Sequence, residues 1–252
     1  MIDRFNAQMQ AMQMLSKAQD VTADNLANIN TPGFKGSSVF YRLFQEEVDG
    51  GMVTSTRPMQ MINLEQGVLE PTGNQFDFGI SGSGFFVVEE EGNGDQDDQT
   101  YLTRDGRFQV DSDGYLVNSR GARVQGYAGE IRIQSYMQAT GQDGREPVLE
   151  VAKDGTIRVD GRAHDRIQIV NVSDPEKLQR RGHAYFTINE DHIEYDGEVG
   201  SIMQGYYEKG NVDPMKEMVD MMKTMQMFES QQRAIQSADE TLSQAINNLG
   251  RF

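Results

Sequence analysis

The feature that most constrains this chain is a seven-residue apolar repeat near its C-terminal end. Met221, Phe228, Ile235, Leu242 and Leu249 recur every seven residues, and Ala238, Ala245 and Phe252 follow three positions after the last three of them. A repeat of this period describes a narrow seam that seeks another helix, whereas a helix lying on a sheet shows a broader apolar face. Asn211-Val212-Asp213-Pro214 reads as the start, a polar cap followed by a proline whose missing N–H costs nothing in the first turn. No Gly or Pro interrupts the run until Gly250. At about 1.5 Å per residue, a helix from Pro214 to Leu249 spans roughly 54 Å. That is too long for a small compact domain, so the helix needs a partner.

The partner is expected at the other end of the chain. Ile2, Phe5, Met9 and Met12 follow a 3-4-3 spacing, and Leu15, Ala18, Ala23 and Leu26 continue a weaker apolar face. This predicts a first helix from Ile2 to about Asn28, stopped by Thr31-Pro32-Gly33. The expected seam therefore comprises Ile2, Phe5, Met9 and Met12 on one side and Met221, Phe228, Ile235, Leu242 and Leu249 on the other. Ten of the fifteen methionines fall in these two terminal segments. One seam cannot hide Met218, Met222, Met225 and Met227 as well, which leaves apolar surface for neighbours.

Between the ends the pattern changes period. Residues 37–75 alternate loosely, with Val39-Phe40-Tyr41 and Leu43-Phe44 as short elements, and are expected to form an extended, partly paired connector that resumes at 196–210. Residues 76–195 carry short strands and tight turns. Phe85-Phe86-Val87-Val88 reads as a buried strand. Asp105-Gly106, Asp113-Gly114 and Asp154-Gly155 each separate strand-like runs, a strong hairpin signal because Gly takes positive φ and Asp tolerates it. The acidic, Gly-rich tract from Glu89 to Asp98 reads as a solvated loop. The expected fold is α+β: long N- and C-terminal helices (1–36 and 211–252) pairing as a coiled coil, with an all-β domain of short hairpins inserted between them.

Composition excludes several classes of function. A net charge of −16 argues against binding nucleic acid or an anionic membrane by general electrostatics. The absence of cysteine removes disulfides, thiolate catalysis and Cys-based zinc sites, and leaves a chain indifferent to redox compartment. No run of residues is apolar enough to cross a membrane as a helix, and the N-terminus lacks the pattern of a cleaved leader.

The motifs that suggest chemistry fail on inspection. Gly79-Ile80-Ser81-Gly82-Ser83-Gly84 lacks the Gly-Lys-Ser/Thr ending of a nucleotide loop, and Ser83 replaces the second Gly of a nucleophile elbow. Asp111-Ser112-Asp113-Gly114 resembles part of a calcium loop but would put Gln109 and Arg120 at ligand positions. His164, His183 and His192 have no metal-ligand spacing, and no carboxylate pair stands out for glycoside hydrolysis. The residues predict neither an enzyme nor a cofactor or metal site.

Asn25-Leu26-Ala27-Asn28-Ile29-Asn30-Thr31-Pro32-Gly33-Phe34-Lys35 closely resembles the N-terminal signature of bacterial flagellar rod and hook proteins. Phe76 to Val88, Tyr101 to Tyr127, Gly205 to Val212 and Glu217 to Ile235 resemble further blocks of that family in the same order. The resemblance implies a structural subunit of the flagellar basal-body rod, proximal or distal. It implies export by the flagellum's own type III apparatus and helical stacking with copies of itself and other rod or hook subunits into the hollow, periplasm-spanning shaft. It also implies that the paired ends line the central channel with the β domain outside. Asn25, Leu26, Ala27, Asn28, Thr31, Pro32, Gly33, Phe34 and Lys35 are the motif residues expected to matter, the turn aiming the first helix. A short hook-like subunit is the alternative within the family; a wall-cutting hydrolase or a secreted β-domain binding module are the alternatives outside it. One departure is Gly210, where the family usually has Ser before Asn211.

Overall fold

A computed structural model describes residues 2–48, 51–91, 99–133, 148–182, 184–195, 197 and 199–249, with the side chains of 2–7, 43–48, 51–57, 239 and 242–249 outside that set. The chain forms two compact units. The first holds the helix α1 (Ile2–Ala27), the paired strands β1 (Ser37–Val48) and β2 (Gly51–Ile62) as far as Met61, and the helix α2 (Pro214–Leu249). The second holds Asn28–Gly36 and Ile62–Asn211.

In the first unit, α2 starts where its capping chemistry directs. The Asp213 carboxylate accepts the N–H groups of Met215 at 2.9 Å and Lys216 at 3.4 Å, and Pro214 opens the helix. The phenol of Tyr41 on β1 donates to the Met14 carbonyl on α1 at 2.9 Å, and burial raises its pKa. Asn25, near the end of α1, makes a reciprocal pair with the Ser37 backbone: its amide donates to the carbonyl and its oxygen accepts the N–H, both at 2.9 Å. The same amide reaches the Glu217 carboxylate in the first turn of α2 at 3.2 Å.

The expected coiled coil is corrected by this unit. A coiled coil needs two apolar rows, each knob enclosed by four residues of the facing helix. Met221, Phe228 and Ile235 supply one row, and each is only half-buried. The second row, three residues on, is Thr224, Gln231 and the exposed Ala238, with Glu217 beginning the same face. Among the described side chains of α2 none is buried. The two helices touch, but among the described side chains no apolar zipper closes between them. The fold is α+β, with strands rather than paired helices as its dominant structure.

The second unit is built on a large antiparallel sheet. Its described strands run in the order β15 (Gln179–Arg181), β16 (Tyr185–Thr187), β6 (Gln99–Thr103), β5 (Phe85–Glu90), β9 (Arg123–Gly126), β8 (Leu116–Asn118) and β7 (Phe108–Val110). The strand β10 (Gly129–Glu130) adds to β9, and β14 (Ile169–Val172) bridges β5 and β17 (Ile193–Glu194). Smaller sheets join β11 (Leu149–Val151), β12 (Thr156–Val159) and β13 (Arg162–Arg166), β18 (Ser201–Gln204) with β4 (Phe78–Ser81), and β19 (Tyr206–Glu208) with β3 (Leu69–Pro71).

Strand β5 explains why its sequence is a continuous apolar run. Side chains alternate across a strand, so Phe86 and Val88 enter one core while Phe85 and Val87 enter another. Phe86 meets Phe108 nearly edge-on at 5.4 Å, and Phe85 meets Phe186 at 5.6 Å. With both faces covered, every position of the run must be apolar.

The turns divide by what their glycines do. Gly114 and Gly155 take positive φ in the hairpins β7–β8 and β11–β12, as the Asp-Gly pairs predict. Asp105-Gly106 makes no hairpin, because β6 pairs with β5 and β16 while β7 pairs with β8. Gly106 is needed for a different reason: a Cβ there would lie 1.8 Å from the Phe78 carbonyl oxygen. Of the tract from Glu89 to Asp98, residues 92–98 lie outside the described set.

Candidate functional site

The turn that follows α1 in the chain is seated deep in the second unit. Pro32 ends the helical path, and the turn is tied by Thr31 N–H to the Asn28 carbonyl at 2.9 Å and Phe34 N–H to the Thr31 carbonyl at 3.2 Å. Pro32, Gly33, Phe34, Lys35 and Gly36 are all buried. Gly33 adopts φ +66°, and its N–H donates to the Glu208 carbonyl at 2.7 Å. A Cβ at this position would lie 2.2 Å from the Asp105 nitrogen and 2.3 Å from the Arg104 carbonyl carbon. Two backbones meet here, and glycine alone fits both the dihedral and the gap.

Beside Gly33, three ionised side chains share one dry pocket. Lys35 Nζ donates to Glu208 Oε1 and to the Glu65 carbonyl, both at 2.7 Å. Arg104 Nη1 donates to Glu208 Oε2 at 3.1 Å and Nη2 to the Gly82 carbonyl at 2.9 Å. Glu208 Oε1 also accepts the Gly67 N–H at 2.7 Å. Lys35 and Glu208 are each 1% exposed and Arg104 4%. Burial pulls the Lys35 ammonium and the Arg104 guanidinium below their ordinary pKa values, and Glu208 opposes the fall in both. Two cations meet one carboxylate; the Glu65 and Gly82 carbonyls each take one further donor, and Arg104 Nε is left buried without a partner. Such a group is a poor source of net stability but a strict constraint on geometry, since loss of one member strands the others.

Two further residues close the clasp. The Arg180 guanidinium lies 4.4 Å from the centre of the Phe34 ring and 5.6 Å from that of Phe186, and donates to the Lys35 carbonyl. Asn211 accepts the Gly36 N–H at 2.7 Å and donates to the Asn63 and Glu65 carbonyls at 2.9 and 2.8 Å. Gly210, the departure noted above, fits tightly: a Cβ would stand 3.1 Å from the Ile29 carbonyl oxygen and 3.6 Å from Phe34 Cβ.

Three family models match the chain in sequence order. Residues 5–35 match the flagella basal body rod protein model, 79–159 the flagellar hook protein FlgE/F/G D1 domain, and 203–249 the flagellar basal body rod FlgEFG protein C-terminal model. The chain is 28% identical over 256 residues to the flagellar basal-body rod protein FlgF of Mesorhizobium japonicum, covering 99% of both chains. The chain belongs to the flagellar basal-body rod protein family. It is a structural rod subunit of the flagellum. Rod protein FlgG of Bacillus subtilis is 27% identical, covering 90% of this chain and 92% of that one. Flagellar hook protein FlgE of Rhizobium meliloti is 34% identical over 149 residues, covering 58% of this chain and 35% of that protein.

Within the rod-family motif, the structure separates two groups. Thr31, Pro32, Gly33, Phe34 and Lys35 belong to the clasp, with Asn28 buried beside them and Thr31 donating to its side-chain oxygen at 3.3 Å. Asn25, Leu26 and Ala27 belong to α1, where Asn25 is buried, Leu26 half-buried and Ala27 exposed. Of the seam residues, Met9 is exposed, while Met12, Met221, Phe228 and Ile235 are half-buried. The side chains of Ile2, Phe5, Leu242 and Leu249 lie outside the described residues, as does Phe252. Reasoning from sequence missed Arg104, Arg180 and Glu208, and read Asn211 as a cap. Their signal was faint: an Arg inside a strand-and-turn block, and a Glu beside two tyrosines, more than a hundred positions apart.

The motifs that suggest chemistry have structural employment. The Asp111 carboxylate accepts the N–H groups of Asp113 at 2.9 Å and Tyr115 at 2.8 Å, which stabilises the turn. His164 meets the Arg132 carbonyl at 2.8 Å and His192 meets Lys177 Nζ at 3.0 Å; His183 lies outside the described residues. Gly82 and Gly84 take positive φ in the link between β4 and β5.

Proposed function

We propose that this rod subunit builds its part of the flagellum by helical self-association through its terminal helices, and that its role is mechanical rather than catalytic. The terminal segments (1–36 and 211–252) act as the assembling part. The strand-rich region 76–195 is the body they carry, and 37–75 with 196–210 link the two. Copies of the chain and other rod or hook subunits form a hollow axial shaft, reached through the flagellar type III apparatus. The observation that carries this reading is the contrast within α2: a 36-residue helix whose described side chains include none that is buried, although methionines recur along it. Apolar surface on that scale is left in water only by a chain that covers it with neighbours.

Complementation of a strain lacking the subunit tests the proposal. Phe228→Asp with Ile235→Asp is expected to abolish motility and rods in purified basal bodies, while the strand-rich unit retains its thermal unfolding transition. Pro32→Ala is expected to leave motility nearly normal. Normal rods from the double aspartate variant would overturn the reading.

A further inference from the structure

The described part of α2 carries a second apolar row that the half-buried seam does not use. Met215, Met218, Met222 and Met225 follow a 3-4-3 spacing, which places them on one stripe of the helix surface. They are 69%, 42%, 55% and 46% exposed. Met12, Met14 and Met221, by contrast, are half-buried. A thioether is the one apolar group that a mild two-electron oxidant turns polar, and exposure governs how fast this happens.

We infer that the Met215, Met218, Met222 and Met225 stripe is an oxidation site, where peroxide switches the docking face of the unassembled subunit off. The sulfur lone pair attacks one peroxide oxygen; the O–O bond breaks, an S–O bond forms, and the departing hydroxide takes a proton to leave as water. Sulfur loses two electrons and peroxide is reduced. The product, methionine sulfoxide, is chiral and polar, and methionine sulfoxide reductases return it to the thioether. Four such groups along one stripe replace an apolar row with a row of hydrogen-bond acceptors that a packed helix contact cannot satisfy. A subunit already assembled has this stripe covered and is protected, so the switch acts before incorporation. The docking consequence rests on the assembly reading above; the chemical selectivity does not.

The experiment treats the full chain with hydrogen peroxide and follows each methionine by peptide mass mapping. A pelleting assay of self-association runs on the treated, untreated and reductase-repaired protein. The four stripe methionines are expected to gain oxygen at least about threefold faster than Met12, Met14 and Met221. Treated protein is expected to pellet about tenfold less than untreated, with recovery after the reductase. A variant with leucine at all four positions keeps volume and helix propensity. Measured against its own untreated level, it is expected to change less than about twofold, although exposed Met9 and Met227 still oxidise. Equal oxidation rates at stripe and half-buried methionines would overturn the inference, as would full pelleting of the treated protein or a peroxide loss in the leucine variant as large as in the parent. If untreated protein never self-associates under any condition, the assembly reading fails and the docking claim falls with it. The peptide map then decides the oxidation site alone.

Discussion

The clasp around Lys35 and the helix α2 solve opposite problems. The clasp takes three charges out of water and pairs them inside one chain, with carboxylate, carbonyl and N–H partners at hydrogen-bond distance and Arg104 Nε left unpartnered. The helix half-buries Met221, Phe228 and Ile235 and keeps Met215, Met218, Met222, Met225 and Met227 exposed. One region is complete in a single copy. The other leaves methionines exposed along its described length, which is what the proposed assembly would cover. Tight side-chain pairing is therefore concentrated where the family motif meets the strands, and exposed apolar surface along the described part of α2.

Substitutions in the clasp should separate from substitutions in the helix by size of effect. Glu208→Ala leaves Lys35 and Arg104 buried without their anion, and is expected to lower stability by about 3–5 kcal/mol in thermal or denaturant unfolding. Gly33→Ala combines a strained positive φ with a backbone collision, and about 2–4 kcal/mol is expected from the same measurement. An effect below about 0.5 kcal/mol in either variant would erase the distinction.

A subtler test uses pH. Burial holds the folded-state Lys35 below its ordinary 10.5, so between its folded value and 10.5 the unfolded chain binds the extra proton. Its contribution is therefore full above 10.5 and is lost as pH falls through the folded value. Exposed or hydrogen-bonded tyrosines titrate in the same region with the opposite sign, because Tyr41, Tyr185 and Tyr207 are all raised. The useful quantity is the difference between the parent and Lys35→Met: the gain in stability on raising pH towards 10.5 should be larger in the parent. Parallel profiles would show that the ammonium is not buried as described.

The smallest expected effect lies in the helix unit. Glu217 is raised, mainly by burial and against the Asn25 hydrogen bond. Its contribution is full below 4.5 and is lost as pH rises through the folded value. Glu217→Gln keeps the Asn25 contact without the charge and should raise stability at pH 7 by less than about 1 kcal/mol. The gain should shrink at pH 4, as unfolding curves at the two pH values would reveal.

How much of this was legible in the sequence follows from the range of the interactions involved. The bounds of α2 were readable because Asp213 and Pro214 act on their immediate neighbours. Gly114 and Gly155 were readable for the same reason. The coiled coil was misread because the heptad of Met, Phe, Ile and Leu was weighed with only the C-terminal part of its companion row, Ala238, Ala245 and Phe252, although Thr224 and Gln231 stand at the earlier positions. Asp105-Gly106 carries the same letters as a hairpin turn, yet the glycine answers to Phe78 across the fold. Strand β13 went unseen because its residues are mostly exposed and polar, and the Asp160-Gly161 turn rather than any apolar alternation returns it onto β12. Within the clasp, Thr31 to Lys35 were singled out only by family resemblance; Arg104 and Glu208 lay unmarked inside longer resembling blocks, and Arg180 was not noticed. Buried ion pairs are contracts between distant positions, and no local periodicity announces them.

The seat of Gly33 on the Arg104–Asp105 backbone limits how such a chain can be re-engineered. A signature of this kind is half of a lock whose other half is held by the strands. Transplanting residues 25–35 onto a foreign β module would strand the glycine against an arbitrary surface and leave the lysine without its carboxylate. A working chimaera must move the 104–105 corner and Glu208 together with the turn, as one inseparable part.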